Sequence, residues 1–414
     1  MHRINNIVAQ LDGNFTRASS FPKSDNDVVI VSSVRTAICK ARRGEFATLP
    51  VEELLAPVLK AVLDQTSVAG KDVGDIVVGS VLGQNVQRAN EVRIAQFLAG
   101  IPNTVPIHTV NRQCGSGMQA VAEVAACIEA GQYDIGIAAG VESMSTGKMA
   151  WEGQINPKIF LQQQAKDVLL PMGITSENVA KKYGITRKEQ DELAVLSHQR
   201  AYQATLNGRF QDEIIPVTVT IKDKKTGKIY EKIVDKDGGI RESTTLAGLS
   251  KLKAAFMKNG STHAGNASQV SDGAAATLLM TRKKANELGL SILGRYLGYA
   301  VAGVPPNIMG IGPAVAIPKV LKLVGLDIKD IDLFEINEAF ASQAVYTIKH
   351  LNIDYDKVNV NGGAIALGHP LGATGCRFLA TLLHEMKKRK NRYGIAAACI
   401  GSGMGFAAIF ENEL

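Results

Sequence analysis

The sequence predicts an α/β protein built from two similar halves. Three observations carry this: short apolar, β-branched runs alternate with amphipathic helical stretches, an order of strand, helix and glycine-rich turn occurs twice, and a Lys- and Gln-rich segment interrupts the first copy.

Val28-Val29-Ile30-Val31 is the first strand-like run, and Ile76-Val77-Val78, Ile135-Gly136-Ile137-Ala138, Leu278-Leu279-Met280 and Ile395-Ala396-Ala397-Ala398 follow it. Such runs suit strands buried on both faces, so mainly parallel sheets are expected. Val51-Glu52-Glu53-Leu54-Leu55-Ala56 opens one helix. Met118, Val121, Ala125 and Ile128 line the apolar face of another, which begins near Gly117.

Asp75-Ile76-Val77-Val78-Gly79 leads through a helix to Val110-Asn111 and a glycine-rich turn, and Asp332-Leu333-Phe334-Glu335-Ile336 leads likewise to Val360-Asn361 and another. Each half then closes with a strand, Gly136-Ile137-Ala138-Ala139 or Gly394-Ile395-Ala396-Ala397, that runs into a Gly- and Ser-rich turn. Equivalent turns of two related halves are expected to face one another. The expected division is an N-terminal segment 1–26, a first half 27–143 completed by 271–291, an insertion 144–270 and a second half 292–414. Asp235-Lys236-Asp237-Gly238-Gly239 marks a loop within the insertion.

At 414 residues the chain exceeds the usual domain of about 100–200 residues. With 46% hydrophobic and 21% charged residues it falls outside the disordered class. No run approaches the roughly 20 apolar residues of a spanning helix, so no membrane is expected. The net charge of +7 is scattered and aromatic residues make up only 5%, which argues against nucleic acid and fits a polyanionic small molecule equally well. The five cysteines, Cys39, Cys114, Cys127, Cys376 and Cys399, show no metal spacing and are odd in number. A disulfide scaffold or zinc site is therefore not expected, and a reducing compartment is.

Arg3-Ile4, five residues, then Gln10-Leu11 match R-[LIV]-x5-[HQ]-[LA], the second type of peroxisomal targeting signal. A mitochondrial presequence is the alternative, since Arg3 and Arg17 are basic, and Asp12 counts against it. Glu413-Leu414 does not end in the peroxisomal tripeptide.

Four segments concentrate chemistry. Asn111-Arg112-Gln113-Cys114-Gly115-Ser116-Gly117 places a cysteine between a strand and a helix start, where unpaired N–H groups and the helix dipole are expected to lower its thiol pKa. Asn361 to Gly372 sets His369 among four glycines, a poor core element but a good surface for a ligand. Cys399-Ile400-Gly401-Ser402-Gly403-Met404-Gly405 puts a second cysteine after an apolar strand. Asn337-Glu338-Ala339-Phe340 offers an amide that could hold a water or polarise a carbonyl.

In this order the four segments resemble the signatures of the thiolase family, over nearly the whole chain from about Asp27. The form Asn111-Arg112-Gln113-Cys114, with Pro171-Met172-Gly173-Ile174-Thr175-Ser176-Glu177-Asn178, is most similar to the peroxisomal 3-ketoacyl-CoA branch. The biosynthetic acetoacetyl-CoA branch often has a histidine where Pro171 stands, and Gly115 and Ser402 replace other small residues. The resemblance implies a thiolase-like five-layer αβαβα core with a loop domain inserted into the first half, and at least a homodimer. It implies thiolytic cleavage of 3-ketoacyl-CoA by coenzyme A to acyl-CoA and acetyl-CoA, as in fatty acid β-oxidation. Coenzyme A is a substrate, no metal or other cofactor is needed, and an import receptor is the partner of the N-terminal segment. Residue by residue, Cys114 matches the acylated nucleophile, His369 its base, Cys399 the second acid/base and Asn337 the residue that positions a water. The N–H of Gly401, with that of Cys114, matches the oxyanion donors, and Arg241 and Ser268 match coenzyme A contacts. The alternatives are an acetoacetyl-CoA thiolase working in the condensing direction and a ketoacyl-synthase-like condensing enzyme, which usually lacks a second catalytic cysteine such as Cys399.

Overall fold

The computed structural model describes residues 21–83, 87–149, 151, 153–222 and 226–413. The targeting motif of Arg3, Ile4, Gln10 and Leu11 lies outside them. In chain order the strands are β1 (Val28–Arg35), β2 (Cys39–Lys40), β3 (Asp75–Gly79), β4 (Ile107–Val110), β5 (Ile135–Ser143), β6 (Val217–Lys222), β7 (Ile229–Val234), β8 (Ser271–Thr281), β9 (Gly294–Gly303), β10 (Leu333–Ile336), β11 (Tyr393–Ile400) and β12 (Met404–Glu411). The helices that matter for the site are α1 (Val51–Thr66), α2 (Ser116–Glu129), α3 (Met172–Tyr183), α4 (Arg187–Leu206), α5 (Gly312–Val324), α6 (Ala341–His350) and α7 (Thr374–Arg389).

The sheet runs β10-β11-β12-β9-β1-β8-β5-β3-β4. Its two ends repeat one pattern. β3 is parallel to β4 and β5, as β10 is parallel to β11 and bridged in parallel to Val358. β8 is antiparallel to β5 and β1, as β12 is antiparallel to β11 and β9. The patterns meet at β1 and β9, paired only through Val29↔Arg295 and Ile30↔Gly294.

The sheet is therefore mixed, not mainly parallel, and β5 and β11 are followed by one more strand each. The reason is the turn chemistry. Gly401-Ser402-Gly403 returns the chain from β11 into β12 with Ser402 and Gly403 at φ 68° and 99°, and so short a return forces an antiparallel pair. Residues 144–270 leave at the corresponding point after β5 and come back as β8.

Strand alternation sorts the core into layers. Ile76, Val78, Ile137 and Leu278 pack outward on Leu54, Leu55 and Leu59 of α1. Val77, Ala138 and Leu279 face the opposite way, onto Met118 and Val121 of α2 and Leu379 and Leu382 of α7. Ala396, Ala398 and Phe406 close that inner layer from the other side. Ile395, Ala397 and Ile409 turn outward onto Ala316, Ile317 and Val320 of α5. Helix, sheet, helix pair, sheet and helix make the five layers. α2 keeps Met118, Val121, Ala125 and Ile128 buried, as its periodicity predicts.

The stretch Pro306–Val324 is apolar and long enough by composition to cross a membrane, but it is 61% buried and packs on β9 and β12 as an outer layer of the core. The insertion is tied to β1 by fully buried Arg35, which pairs with Glu213 at 2.6 Å and Asp237 at 2.7 Å. Of the loop Asp235 to Gly239, Asp237 is thus its anchor.

Candidate active site

Cys114 sits on an elbow between β4 and α2. Three short bonds build it: Gln113 N donates to Asn111 Oδ1 at 2.9 Å, Arg112 N to Ser116 Oγ at 2.9 Å, and Ser116 Oγ to Gln113 O at 2.6 Å. Gln113 takes φ 49°, unusual for a residue with a side chain, so the neighbouring bonds hold a strained turn. Gly117 lets α2 approach the histidine loop closely. A Cβ there would lie 2.7 Å from Gly372 O and 2.9 Å from Cys376 N.

The expectation of a lowered thiol pKa is not met: the Cys114 thiol is pushed up to about 11, because burial outweighs the Gly401 and Cys114 N–H groups that act on the sulfur and lower it. Glu142 adds a smaller upward push. The helix start is present, but the half-buried cysteine loses more in hydration than the dipole returns.

His369 lies in a loop pinned at both ends by buried carboxylates. Glu338 accepts from Ile365 N at 3.1 Å and Ser197 Oγ at 2.6 Å on one side, and Glu142 accepts from Gly372 N at 2.9 Å on the other. Burial is the main force raising the pKa of both carboxylates. His369 Nδ1 meets Thr374 Oγ1 at 2.7 Å, and Thr374 Oγ1 in turn donates to Pro370 O at 3.1 Å. The hydroxyl hydrogen is committed to Pro370, so Nδ1 carries a proton and Nε2 keeps its lone pair. Nε2 accepts from Asn337 Nδ2 at 3.2 Å. Burial, with help from Arg377, pulls the imidazole down to about 3, so His369 rests neutral.

Asn337 is fully buried and its Oδ1 has no protein partner. Cys399 is also fully buried, in contact with Met309 and Ala339. Its Sγ donates to Gln343 Oε1 at 3.0 Å. Burial first, then the charge of Cys114, pushes its thiol far up. The Gly401 N–H acts on Cys114, and Gly115 carries no Cβ where one would stand 2.9 Å from Ile400 Cδ1. The turn after β11 and the elbow before α2 are therefore in contact.

Ser268 N donates to Ala339 O at 3.0 Å, and the next residue accepts from His369 N through Gln269 O at 3.1 Å. Ser268 thus lies beside both the asparagine and the histidine segments. Arg241 is farther out, exposed, with its N donating to His198 Nδ1 at 3.2 Å. Burial first, then Arg241 and Arg43, depress the Lys40 ammonium, so Arg241 stands close to Lys40. The structure brings Cys114, His369, Cys399, Asn337 and Gly401 together, with Ser268 at their edge and Arg241 in an outlying cationic patch. Thr374, Glu142 and Gln343 escape the sequence reading. Gln343 was findable as a polar residue on the buried face of α6, whereas Thr374 is one of many hydroxyls near helix starts. Among the described residues no group of three or more His, Cys, Asp or Glu could hold a metal ion.

Residues 28–283 match the family model "Thiolase, N-terminal domain" and residues 290–412 match "Thiolase, C-terminal domain". The chain is 61% identical to the peroxisomal 3-ketoacyl CoA thiolase 1 of Petunia hybrida, over 94% of this chain and 84% of that one. It is 56% identical to the human peroxisomal 3-ketoacyl-CoA thiolase, over 93% and 91%. The crystal structure of the dimeric peroxisomal thiolase of Saccharomyces cerevisiae superposes with a TM-score of 0.87 at 47% identity, covering 95% of this chain and 99% of that one. The acetyl-CoA acetyltransferase of Bacillus anthracis gives 0.84 at 41% identity, covering 94% and 99%.

Proposed function

The chain belongs to the thiolase family, and from that premise we propose that it is an acyltransferase that cleaves 3-ketoacyl-CoA with coenzyme A, yielding acyl-CoA and acetyl-CoA in peroxisomal β-oxidation. The observation that carries the reading is that two cysteines, Cys114 and Cys399, act on one another, and that Cys399 is linked through Gln343 and Asn337 to a neutral histidine, His369.

His369 Nε2 takes the proton of Cys114, and the thiolate attacks the 3-keto carbon. Burial makes the imidazolium costly, so it forms only as negative charge develops beside it. The N–H groups of Cys114 and Gly401, which already act on the sulfur, receive the tetrahedral oxyanion. Each such donor is worth about 3–4 kcal/mol of barrier. The C–C bond breaks and the acyl group stays on Cys114, leaving the enolate of acetyl-CoA. His369 and a water on Asn337 stabilise that enolate, and the unpartnered Oδ1 of Asn337 is the acceptor such a water needs. Cys399 gives its proton to the enolate carbon, then takes the proton of incoming coenzyme A, whose sulfur accepts the acyl group as Cys114 leaves as a thiolate and recovers its proton from His369. One thioester is exchanged for another and nothing is oxidised, so coenzyme A enters as substrate and no metal or redox group is required. Ser268 and Arg241 contact coenzyme A, and the grouping of Arg241 with Lys40 and Arg43 suits its phosphates.

The same reading makes the protein a homodimer, like the dimeric yeast relative. It divides the chain into halves 27–143 with 271–291 and 292–414, an insertion 144–270 and a segment 1–26 that an import receptor recognises. The cleavage direction is favoured over condensation because the peroxisomal 3-ketoacyl-CoA thiolases share more of the sequence than the acetyltransferase does.

The test is release of acetyl-CoA from a 3-ketoacyl-CoA on addition of coenzyme A. With coenzyme A withheld, peptide mass spectrometry should find one acyl adduct, on Cys114. An adduct on Cys399, or no release, rejects the reading. Replacing Arg3 and Leu11 together should leave activity intact and strand the protein in the cytosol.

A further inference from the structure

Gln343 is buried to 1% exposure on the first turn of α6, and both ends of its amide are engaged. Oε1 accepts from Cys399 Sγ at 3.0 Å, and Nε2 donates to Asn337 O at 2.7 Å. Its position is fixed from two further sides. The backbone oxygen accepts from Thr347 Oγ1 at 2.9 Å, and Gly310 lacks a Cβ where one would fall 2.7 Å from Gln343 Cβ. One rigid side chain therefore spans the acid/base cysteine, contributed by β11, and the asparagine, contributed by the turn after β10. Neither the four motifs nor the chemistry derived above uses it.

We propose that Gln343 is a positioning residue that clamps Cys399 to Asn337, so that the thiol which protonates carbon keeps a fixed distance from the amide that holds the enolate. The proposal rests on the thiolase reading. Its chemistry follows from what an amide can do. Oε1 is an acceptor only, so it engages Cys399 as the thiol and not as the thiolate. A bond made only to the neutral form favours that form. Cys399 therefore waits as an acid. When the enolate forms, the Sγ–H bond breaks and a C–H bond forms at the α-carbon of acetyl-CoA, leaving Sγ with its electron pair. That thiolate has lost its bond to Gln343. It recovers the bond by taking the proton of the coenzyme A thiol, and the freed sulfur of coenzyme A attacks the acyl group on Cys114, whose sulfur leaves as a thiolate and takes its proton back from His369. The amide thus favours the same reset that each turnover needs. Its second bond, to Asn337 O, holds the main chain that carries the Asn337 side chain against His369 Nε2.

The experiment compares wild type with Gln343→Met, which keeps length and removes both bonds, and Gln343→Asn, which keeps an amide one methylene short. Four quantities are read: kcat for cleavage, KM for coenzyme A, deuterium exchange from solvent into the methyl group of acetyl-CoA, and the rate of iodoacetamide alkylation of Cys114. Gln343→Met is expected to lose kcat and exchange together by roughly 10- to 100-fold, within the span of a general acid/base contribution. KM should stay within about threefold and Cys114 alkylation within about twofold, as positioning without loss of fold requires. Gln343→Asn should fall between the two, and it decides the question alone if the methionine variant does not fold. Exchange in Gln343→Met within about threefold of wild type overturns the proposal. So does a parallel fall of exchange and Cys114 alkylation, which marks a residue that only packs. A wild-type protein with neither exchange nor cleavage rejects the thiolase reading itself, an outcome distinct from both.

Discussion

Asn337 donates its side-chain N–H to Nε2 of His369 at 3.2 Å, while the opposite ring nitrogen is spent on Thr374 at 2.7 Å. The histidine is therefore held as an acceptor facing the reaction space, the tautomer a general base needs. An Asn337→Asp variant tests this. A carboxylate cannot donate to Nε2, and beside the ring it raises the His369 pKa from its depressed value of about 3. The base is then increasingly occupied by a proton as pH falls. We expect kcat/KM to drop about 100-fold near neutrality and to recover as pH rises, a limb that wild type lacks. A flat profile for the variant would separate Asn337 from the state of His369.

The two cysteines should respond differently to removal. Cys399→Ala keeps the elbow at Cys114 intact, so Cys114 should still react with a small alkylating agent. Its turnover should fall by roughly 10²–10⁴, the range for losing a general acid/base. His369→Ala should lose turnover and also acylation of Cys114 by substrate, because the acceptor for the thiol proton is gone. Near-normal turnover in Cys399→Ala would leave that cysteine as a buried small residue and end the two-cysteine mechanism.

How far the site was legible follows from where its contacts lie in sequence. The elbow at Cys114 is local: Asn111, Arg112, Gln113 and Ser116 bond among themselves, so residue types and spacing reveal it. The repeat is legible too, because Val77 and Ala396 obey the same strand alternation on opposite sides of one helix layer. Strand direction was not, since β8 and β12 owe theirs to the connections before them and not to their own composition. The thiol pKa of Cys114 departs from what the helix start implies for a similar reason. The helix start is written next to the cysteine, whereas the burial that outweighs it is a product of the folded chain. Gln343 joins Cys399, which is 56 residues away, and no local pattern announces that pairing.

Close backbone packing at Gly117 should be required for both fold and activity. A methyl group there meets Gly372 O at 2.7 Å and Cys376 N at 2.9 Å, and both are backbone atoms that cannot rotate away. Gly117→Ala must push α2 off the loop that carries His369. We expect a loss of about 1–3 kcal/mol in urea unfolding, as for overpacking elsewhere, with kcat falling further than stability alone explains. Gly303→Ala serves as the control, because a Cβ at Gly303 meets nothing within 4 Å. Equal behaviour of the two variants would mean that the α2 contact relaxes freely.

The raised thiol of Cys114 gives the sharpest pH test. Burial holds it at about 11, above the ordinary thiol value, so the free enzyme carries Cys114 protonated at neutral pH. Only the thiolate reacts with iodoacetamide. Its fraction grows about tenfold per pH unit below the pKa, so alkylation of Cys114 in the absence of substrate should climb steadily from pH 7 to pH 10. A resting thiolate–imidazolium pair would behave otherwise: with the thiol pKa below 7, alkylation would already be at its plateau across that range. The neutral His369 argues against such a pair, since an imidazole pulled down to about 3 does not hold a proton at pH 7. His369→Ala should therefore leave the steady climb in place while abolishing turnover, because the histidine acts on the thiol only when substrate brings negative charge to the N–H groups of Cys114 and Gly401. A plateau at neutral pH in wild type, lost in His369→Ala, would show that the helix start and the histidine prevail over burial and that the thiolate is preformed.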